Sequence, residues 1–241
     1  MARDPKDYII FPLDVSDYDR AMAYVDKLSE YVGLFKVGLE LFVSHGPTIL
    51  KSIGDAGPAR VFLDLKLHDI PATVQRAFSA TSRYGVRFVT IHCDAGEEAL
   101  RMATTVSDGN TQILAVTVLT SMDTDSLLAL GYDPQYAKDI SGLVLKRAQL
   151  AKKAGCHGIV CSGREVSHLR TTLGPDLIMV TPGIRPSWSV IGRDDQKRIV
   201  TPSEAVTLGA DYIVIGRPIR DAPSPRDAAK KVADEIGSAL K

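Results

Sequence analysis

"RVFLDLKLHDI" (60–70) runs directly into "PATVQRAFSATSRYG" (71–85), and the apolar period changes where they meet. The first stretch is short, apolar and alternating, and it reads as a β-strand. In the second, positions 74, 77, 78, 81 and 84 fall on one helical stripe, with Pro71 suited to the first turn. Together they make one β/α unit, and the chain repeats it. Strand-like runs stand at 8–15, 34–42, 60–70, 87–93, 112–120, 157–163, 177–184 and 212–219. They are short, rich in β-branched residues and bounded by turn residues, as parallel strands covered on both faces are. Between them lie amphipathic stretches. In "SDYDRAMAYVDKLSEYV" (16–32), positions 21, 24, 25, 28, 31 and 32 form a stripe behind a Ser16 or Asp17 cap, and "SPRDAAKKVADEIGSAL" (224–240) closes the series. Eight units at roughly 25–30 residues each predict an α/β fold, a single-domain (β/α)₈ TIM barrel over 1–241. A doubly wound open sheet is the alternative, but such sheets rarely repeat so evenly. No Pro/Gly/Ser-rich linker interrupts the pattern.

The totals fit one sizeable core: 241 residues, 45% of them apolar. Lys and Arg number 29, as do Asp and Glu, so there is no electrostatic footprint for nucleic acid or an anionic membrane. The start, "MARDPKDYIIFPLDV", lacks the apolar run of a signal peptide, and no later stretch is long and uncharged enough to span a bilayer. Cys93, Cys156 and Cys161 show neither a disulfide framework nor CxxC spacing. Buried thiols and a reducing, cytoplasmic setting are expected.

In a barrel of this kind, functional side chains sit at the C-terminal ends of the strands. Alternation puts Phe62, Asp64 and Lys66 on one face and Leu63, Leu65 and Leu67 on the other. The leucines suit the helix layer, which aims Asp64 and Lys66 at the barrel mouth. Lys36 from the second strand and Asp14 from the first join them. An ion-pair network closing the barrel is the structural alternative. However, buried ion pairs often cost as much as they return, and such arrays are where function gathers. Asp69 lies past the strand, before Pro71. The charges of Lys36, Asp64, Lys66 and Asp69 cancel, so mutual pairing would let the array persist with little solvation. A lysine held there can donate a proton, for which an arginine is a poor acid.

The loops after strands 7 and 8 carry "TPGIRP" (181–186) and "IGRPI" (215–219). Barrels commonly bind phosphate there. Arg185 and Arg217 offer forked donors, unless they are solvated surface residues, and Gly216 lets a backbone amide approach closely. The polar stretch "RPSWSVIGRDDQ" (185–196) has the composition of a lid. His68 and His92 lie near strand tops without HExxH or comparable spacing, so no metal site is expected.

"FLDLKLHDIP" (62–71) resembles the signature of the orotidine 5'-phosphate decarboxylase family. So, in the family's order, do "LDV" (13–15), "FKVG" (35–38), "VLTSM" (118–122), "VTPGIRP" (180–186), "DQKRIVTP" (195–202) and "VIGRP" (214–218). The resemblance covers nearly the whole chain. It implies decarboxylation of orotidine 5'-monophosphate (OMP) to UMP, the last step of UMP synthesis, with no metal and no organic cofactor. Lys66 would protonate C6 of the pyrimidine as carbon dioxide leaves, and Asp64 would lie against the departing carboxylate. Lys36 would pair with Asp64 and touch the ribose, and Asp14 would bind ribose hydroxyls. Thr120 or Ser121 would read the pyrimidine. Arg185, Gln196, Gly216 and Arg217 would hold the phosphate, with Pro182 and Ile70 completing the substrate-binding set. Asp69 and Thr73 would reach into the neighbouring subunit's site, making a homodimer with shared active sites. Two alternatives remain. One is a Mg-dependent sugar-phosphate decarboxylase or aldolase of the same superfamily, although those relatives carry an acid where Lys36 stands. The other is a non-catalytic barrel that binds a phosphorylated ligand.

Overall fold

A strand buried on both faces must send alternate side chains into two different apolar layers, and this chain does so around a closed barrel. The computed structural model describes residues 3–189 and 200–241. Its strands are β1 (Ile9–Pro12), β2 (Leu34–Val37), β3 (Arg60–Leu67), β4 (Phe88–His92), β5 (Gln112–Val116), β6 (Gly158–Val160), β7 (Ile178–Thr181) and β8 (Tyr212–Val214). All pair in parallel in sequence order, and β1 pairs with β8 to close the ring. Each of the eight expected runs contains one of these strands.

Ile10, Leu34, Phe62, Phe88, Leu114 and Val180 pack together inside the barrel. Phe88 meets Phe62 edge-on at 6.0 Å and Tyr212 at 5.2 Å, so aromatic rings plug the lower barrel. At Gly158 a Cβ would stand 2.5 Å from the Ile178 carbonyl oxygen, so only glycine fits that filled interior. The intervening residues, among them Ile9, Phe11, Phe35, Val37, Leu63 and Ile113, belong to the layer under the helices.

Local signals start the helices. The helix Tyr18–Leu28 is capped by Asp17, not Ser16: the Asp17 carboxylate accepts from the Arg20 amide. Pro71 opens the helix Pro71–Ser82, whose Val74, Phe78 and Thr81 are buried. Tyr84 lies beyond its end and is exposed.

Two expected runs end sooner than their hydrophobicity suggests. The 34–42 run stops as a strand at Val37, and the helix Leu39–His45 follows Gly38. Of its apolar side chains only Leu41 is buried, while Leu39 and Val43 face outward, the amphipathic signature of a helix. The 212–219 run stops at Val214, and a short helix, Arg217–Arg220, takes over. Among the described residues, no helix is long and apolar enough to cross a membrane. Cys93, Cys156 and Cys161 are buried free thiols. Burial raises the Cys93 thiol to about 12, and it pushes the other two up as well.

Candidate active site

The short strands bring four charged side chains to one end of the barrel. The Leu13 amide donates to the Lys36 carbonyl oxygen at 2.9 Å, which carries the chain after β1 over the top of β2. Asp14 is thereby placed so that its Oδ1 lies 3.0 Å from Lys36 Nζ. The Lys36 ammonium is in turn 3.7 Å from Asp64 Oδ2, and Lys66 Nζ is 2.9 Å from that same oxygen. Asp14, Lys36, Asp64 and Lys66 thus form one alternating row. The inner pair, Lys36 and Asp64, is only 13% exposed at the side chain, whereas Asp14 opens to solvent. A Cβ at Gly38 would stand 3.2 Å from Lys36 Nζ, so the absent side chain leaves the ammonium its room.

Lys66 lines the cavity with Phe62 and Asp64, as alternation predicts, but its backbone is irregular. The register between β3 and β4 passes from Leu63↔Val89 to Leu67↔Ile91, so β3 carries two more residues than its partner over that interval. Within this bulge Lys66 has φ +51°, the single left-handed non-glycine backbone among the described residues. A left-handed L-residue costs roughly 1–2 kcal/mol, so its surroundings must hold it. Thr90 of β4, fully buried, is what the backbone meets: the Lys66 amide donates to Thr90 Oγ1 at 2.8 Å. The hydroxyl donates onward to Asp64 Oδ1 at 2.9 Å. Leu65 and Leu67 still pack against the helix layer, as expected.

Two adjoining cavities open beside the row. The first, about 170 Å³, is mostly apolar: Phe62 is one wall, Val116, Val160 and Val214 others, and Lys36, Asp64 and Lys66 provide its charge. The second, about 420 Å³, is polar and is lined by Asp14, Arg185, Gly216, Arg217 and Arg220. Lys36, Pro182 and Val214 line both, so one continuous depression leads from an apolar, charge-tipped end to an arginine-rich one.

The description of the matching family model, across residues 7–232, is "Orotidine 5'-phosphate decarboxylase / HUMPS family". A relative from Desulfosudis oleivorans named orotidine 5'-phosphate decarboxylase is 49% identical over 241 residues, covering 100% of this chain and 97% of its own. Another of that name, from Trichlorobacter lovleyi, is 44% identical and covers 98% of each. This chain belongs to the orotidine 5'-phosphate decarboxylase / HUMPS family. The crystal structure of orotidine 5'-phosphate decarboxylase from Lactobacillus acidophilus superimposes with a TM-score of 0.82 at 32% identity, over 95% of this chain and 98% of that one.

Of the residues matching the family signature, the chain brings together Asp14, Lys36, Asp64 and Lys66 and leaves Asp69 out. Asp69 is exposed and its Oδ1 accepts from the neighbouring Ile70 amide at 2.6 Å. The fourth member of the charge row is Asp14, which still brings the sum to zero. Ile70 is 67% exposed, and the Thr73 hydroxyl accepts from Arg76 at 3.4 Å. Thr120 lines the apolar cavity, and Ser121 does not. Arg185 is buried, not a solvated surface arginine, and it donates to the Ile184 carbonyl at 2.9 Å. Gly216 lines the polar cavity, and a Cβ there would lie 2.8 Å from Pro12 Cγ. Gln196 and most of the 185–196 stretch lie outside the described residues.

Arg220 of the polar lining and the buried Thr90 beneath the charge row both escaped the sequence reading. Arg220 was hidden behind the "IGRPI" motif, and it pairs with Asp221 at 2.7 Å. Thr90 was legible only as an inward position, two residues after Phe88. The two histidines near the strand tops stack on each other with centroids 5.6 Å apart. Among the described residues, no three His, Cys, Asp or Glu side chains gather as a metal-ligand set. His92 belongs instead to a neighbouring group in which Arg147 binds Asp94 and, at 2.7 Å, the Tyr132 hydroxyl. Burial pushes the Asp94 carboxyl up, but His92 and Arg147 outweigh it and hold the group down at about 2.

Proposed function

We propose that this protein converts orotidine 5'-monophosphate to UMP without a cofactor, with Lys66 as the proton donor to C6. The observation that carries this reading is the continuous row Asp14–Lys36–Asp64–Lys66 beside an apolar cavity that opens into an arginine-lined one. A ring and a phosphate differ in the same way along a nucleotide. The pyrimidine suits the end walled by Phe62, Val116 and Val160, with Thr120 at its edge. Ribose hydroxyls suit Asp14 and Lys36. The phosphate suits Arg185, Arg217 and the Gly216 turn, where forked donors match its oxygens. Gln196 and Pro182 complete the set.

In this reading the C6–carboxylate bond breaks heterolytically, carbon dioxide departs, and the electron pair stays in an sp² orbital at C6. No adjacent carbonyl delocalises it. The protein's means are then fixed charge and a positioned acid. The Lys66 ammonium supplies both: it faces the developing carbanion and transfers its proton to C6, and solvent later reprotonates the resulting amine. Asp64 sets the ammonium's position through the 2.9 Å pair, and Lys36 balances the aspartate from the other side. Enzymatic accelerations of about 10⁶–10¹⁷ correspond to roughly 8–23 kcal/mol, and grip on the distant phosphate is one source of that binding energy.

The reading extends to assembly. Asp69 and Thr73 would complete the site of a second copy in a homodimer, in keeping with Asp69 and Ile70 standing exposed after β3. Three unpaired, buried cysteines suit a reducing cytoplasm, where the last step of UMP synthesis would take place. The direct test mixes the protein with orotidine 5'-monophosphate in EDTA and follows the pyrimidine's ultraviolet absorbance. Conversion at full rate is expected. No change would remove the reading, and a requirement for added Mg²⁺ would favour a sugar-phosphate enzyme.

A further inference from the structure

Thr90 stands at a crossing of two hydrogen bonds that involve both reacting-end residues. It is fully buried on β4, inward-facing like Phe88 two residues before it. A threonine hydroxyl has one proton to give and two lone pairs. One lone pair accepts the Lys66 amide at 2.8 Å, so the proton is directed to Asp64 Oδ1 at 2.9 Å. Asp64 then offers its other oxygen, Oδ2, to Lys66 Nζ at 2.9 Å and Lys36 Nζ at 3.7 Å. The contacts close a ring: Lys66 amide, Thr90 hydroxyl, Asp64 carboxylate, Lys66 ammonium.

We propose that Thr90 is a positioning residue for the decarboxylation, one that sets the aim of the Lys66 ammonium from both ends. At one end its hydroxyl gives the left-handed Lys66 backbone a partner inside the bulge of β3. At the other it fixes the rotation of the Asp64 carboxylate, so that a single oxygen faces both lysines. Without the hydroxyl, the amide and Oδ1 lose their neutral partner, and the carboxylate is free to turn. The ammonium would then spend less time where C6 needs it. Thr90 lies below the cavity and is not among its lining residues, so substrate binding has no direct stake in it.

This inference rests on the proposed reaction, and the experiment separates the two. Thr90→Val keeps shape and removes the hydroxyl, Thr90→Ser keeps the hydroxyl, and Thr90→Ala guards against misfolding of the valine variant. The loss of a buried hydrogen bond of this kind predicts a fall in kcat of about ten- to a hundredfold in Thr90→Val and Thr90→Ala. KM for orotidine 5'-monophosphate and affinity for UMP should stay within roughly threefold, and Thr90→Ser should recover kcat to a similar margin. A valine or alanine variant with wild-type kcat would overturn the proposal. So would a loss confined to KM, or a serine variant as impaired as alanine. Hydrogen exchange at the Lys66 amide reads the same ring without turnover, and protection should drop by about tenfold or more in Thr90→Val but not in Thr90→Ser. If the wild-type protein leaves orotidine 5'-monophosphate unchanged, the reaction assignment fails. The exchange result still decides whether Thr90 holds Lys66.

Discussion

Asp64 Oδ2 lies 2.9 Å from Lys66 Nζ, although the backbone between them departs from a regular strand. Asp64 and Lys66 share the face that alternation assigns them, and the contacts within the bulge hold Lys66 there. The ammonium is therefore positioned before any substrate arrives, the condition for catalysis by fixed charge.

Lys66→Ala should abolish measurable turnover. Losing a positioned acid alone costs about 10²–10⁴-fold, and here the facing positive charge goes with it. Affinity for UMP should persist, because Arg185, Arg217 and the apolar walls are untouched. Isothermal titration with UMP beside a turnover assay checks both halves. Undiminished turnover in the variant would refute the proton-donor role.

Arg217→Ala should raise KM for orotidine 5'-monophosphate by about ten- to a hundredfold, the range of a charge-assisted hydrogen bond. Affinity for UMP should fall with it, and affinity for uridine, which has no phosphate, should hold. Equal losses for UMP and uridine would place Arg217 in general packing instead of phosphate recognition.

Inactive Lys66→Ala and Asp69→Ala proteins should regain activity when mixed. In a hybrid dimer with shared sites, one site would receive Lys66 and Asp69 intact from different subunits. Asp69 reaches only its own turn within one protomer, so this is the sharpest test of sharing. A mixture that stays inactive after verified subunit exchange would count against it.

Arg147→Met should lower Tm by roughly 3–12 °C, because lost hydrogen bonds to a charged group cost about 1.5–3 kcal/mol and a chain of this size loses about 2–4 °C per kcal/mol. Arg147 is buried and binds the Asp94 carboxylate, the Thr117 carbonyl and the Tyr132 hydroxyl. The pH dependence has a definite sign. Asp94 is held at about 2, below its ordinary 3.8, so its contribution is complete above that ordinary value and is lost as pH falls toward 2. Urea midpoints measured from pH 5 downward should decline less steeply for Asp94→Asn than for the wild type. Parallel slopes would show that the pair has no part in acid stability.

Much of this was written in the one-dimensional pattern. The eight β/α periods predict a barrel, and inside–outside alternation predicts that Lys36 and Asp64 face its mouth, because side-chain direction in a regular strand is a local property. Capping and helix starts at Asp17 and Pro71 are likewise matters of neighbouring residues. The strand ends also put Asp14 at that rim and Asp69 past it, and Asp14 pairs with Lys36 there. Two features were decided only when distant segments met. Lys66 reaches the cavity through a bulge defined by the pairing of β3 with β4. Thr90, which carries no charge and belongs to no motif, acquires its two contacts only because that pairing sets it against Lys66 and Asp64. Periodicity records which way a residue faces along its own strand, whereas bulges, loop exits and cross-strand partners depend on the register between strands far apart in the chain.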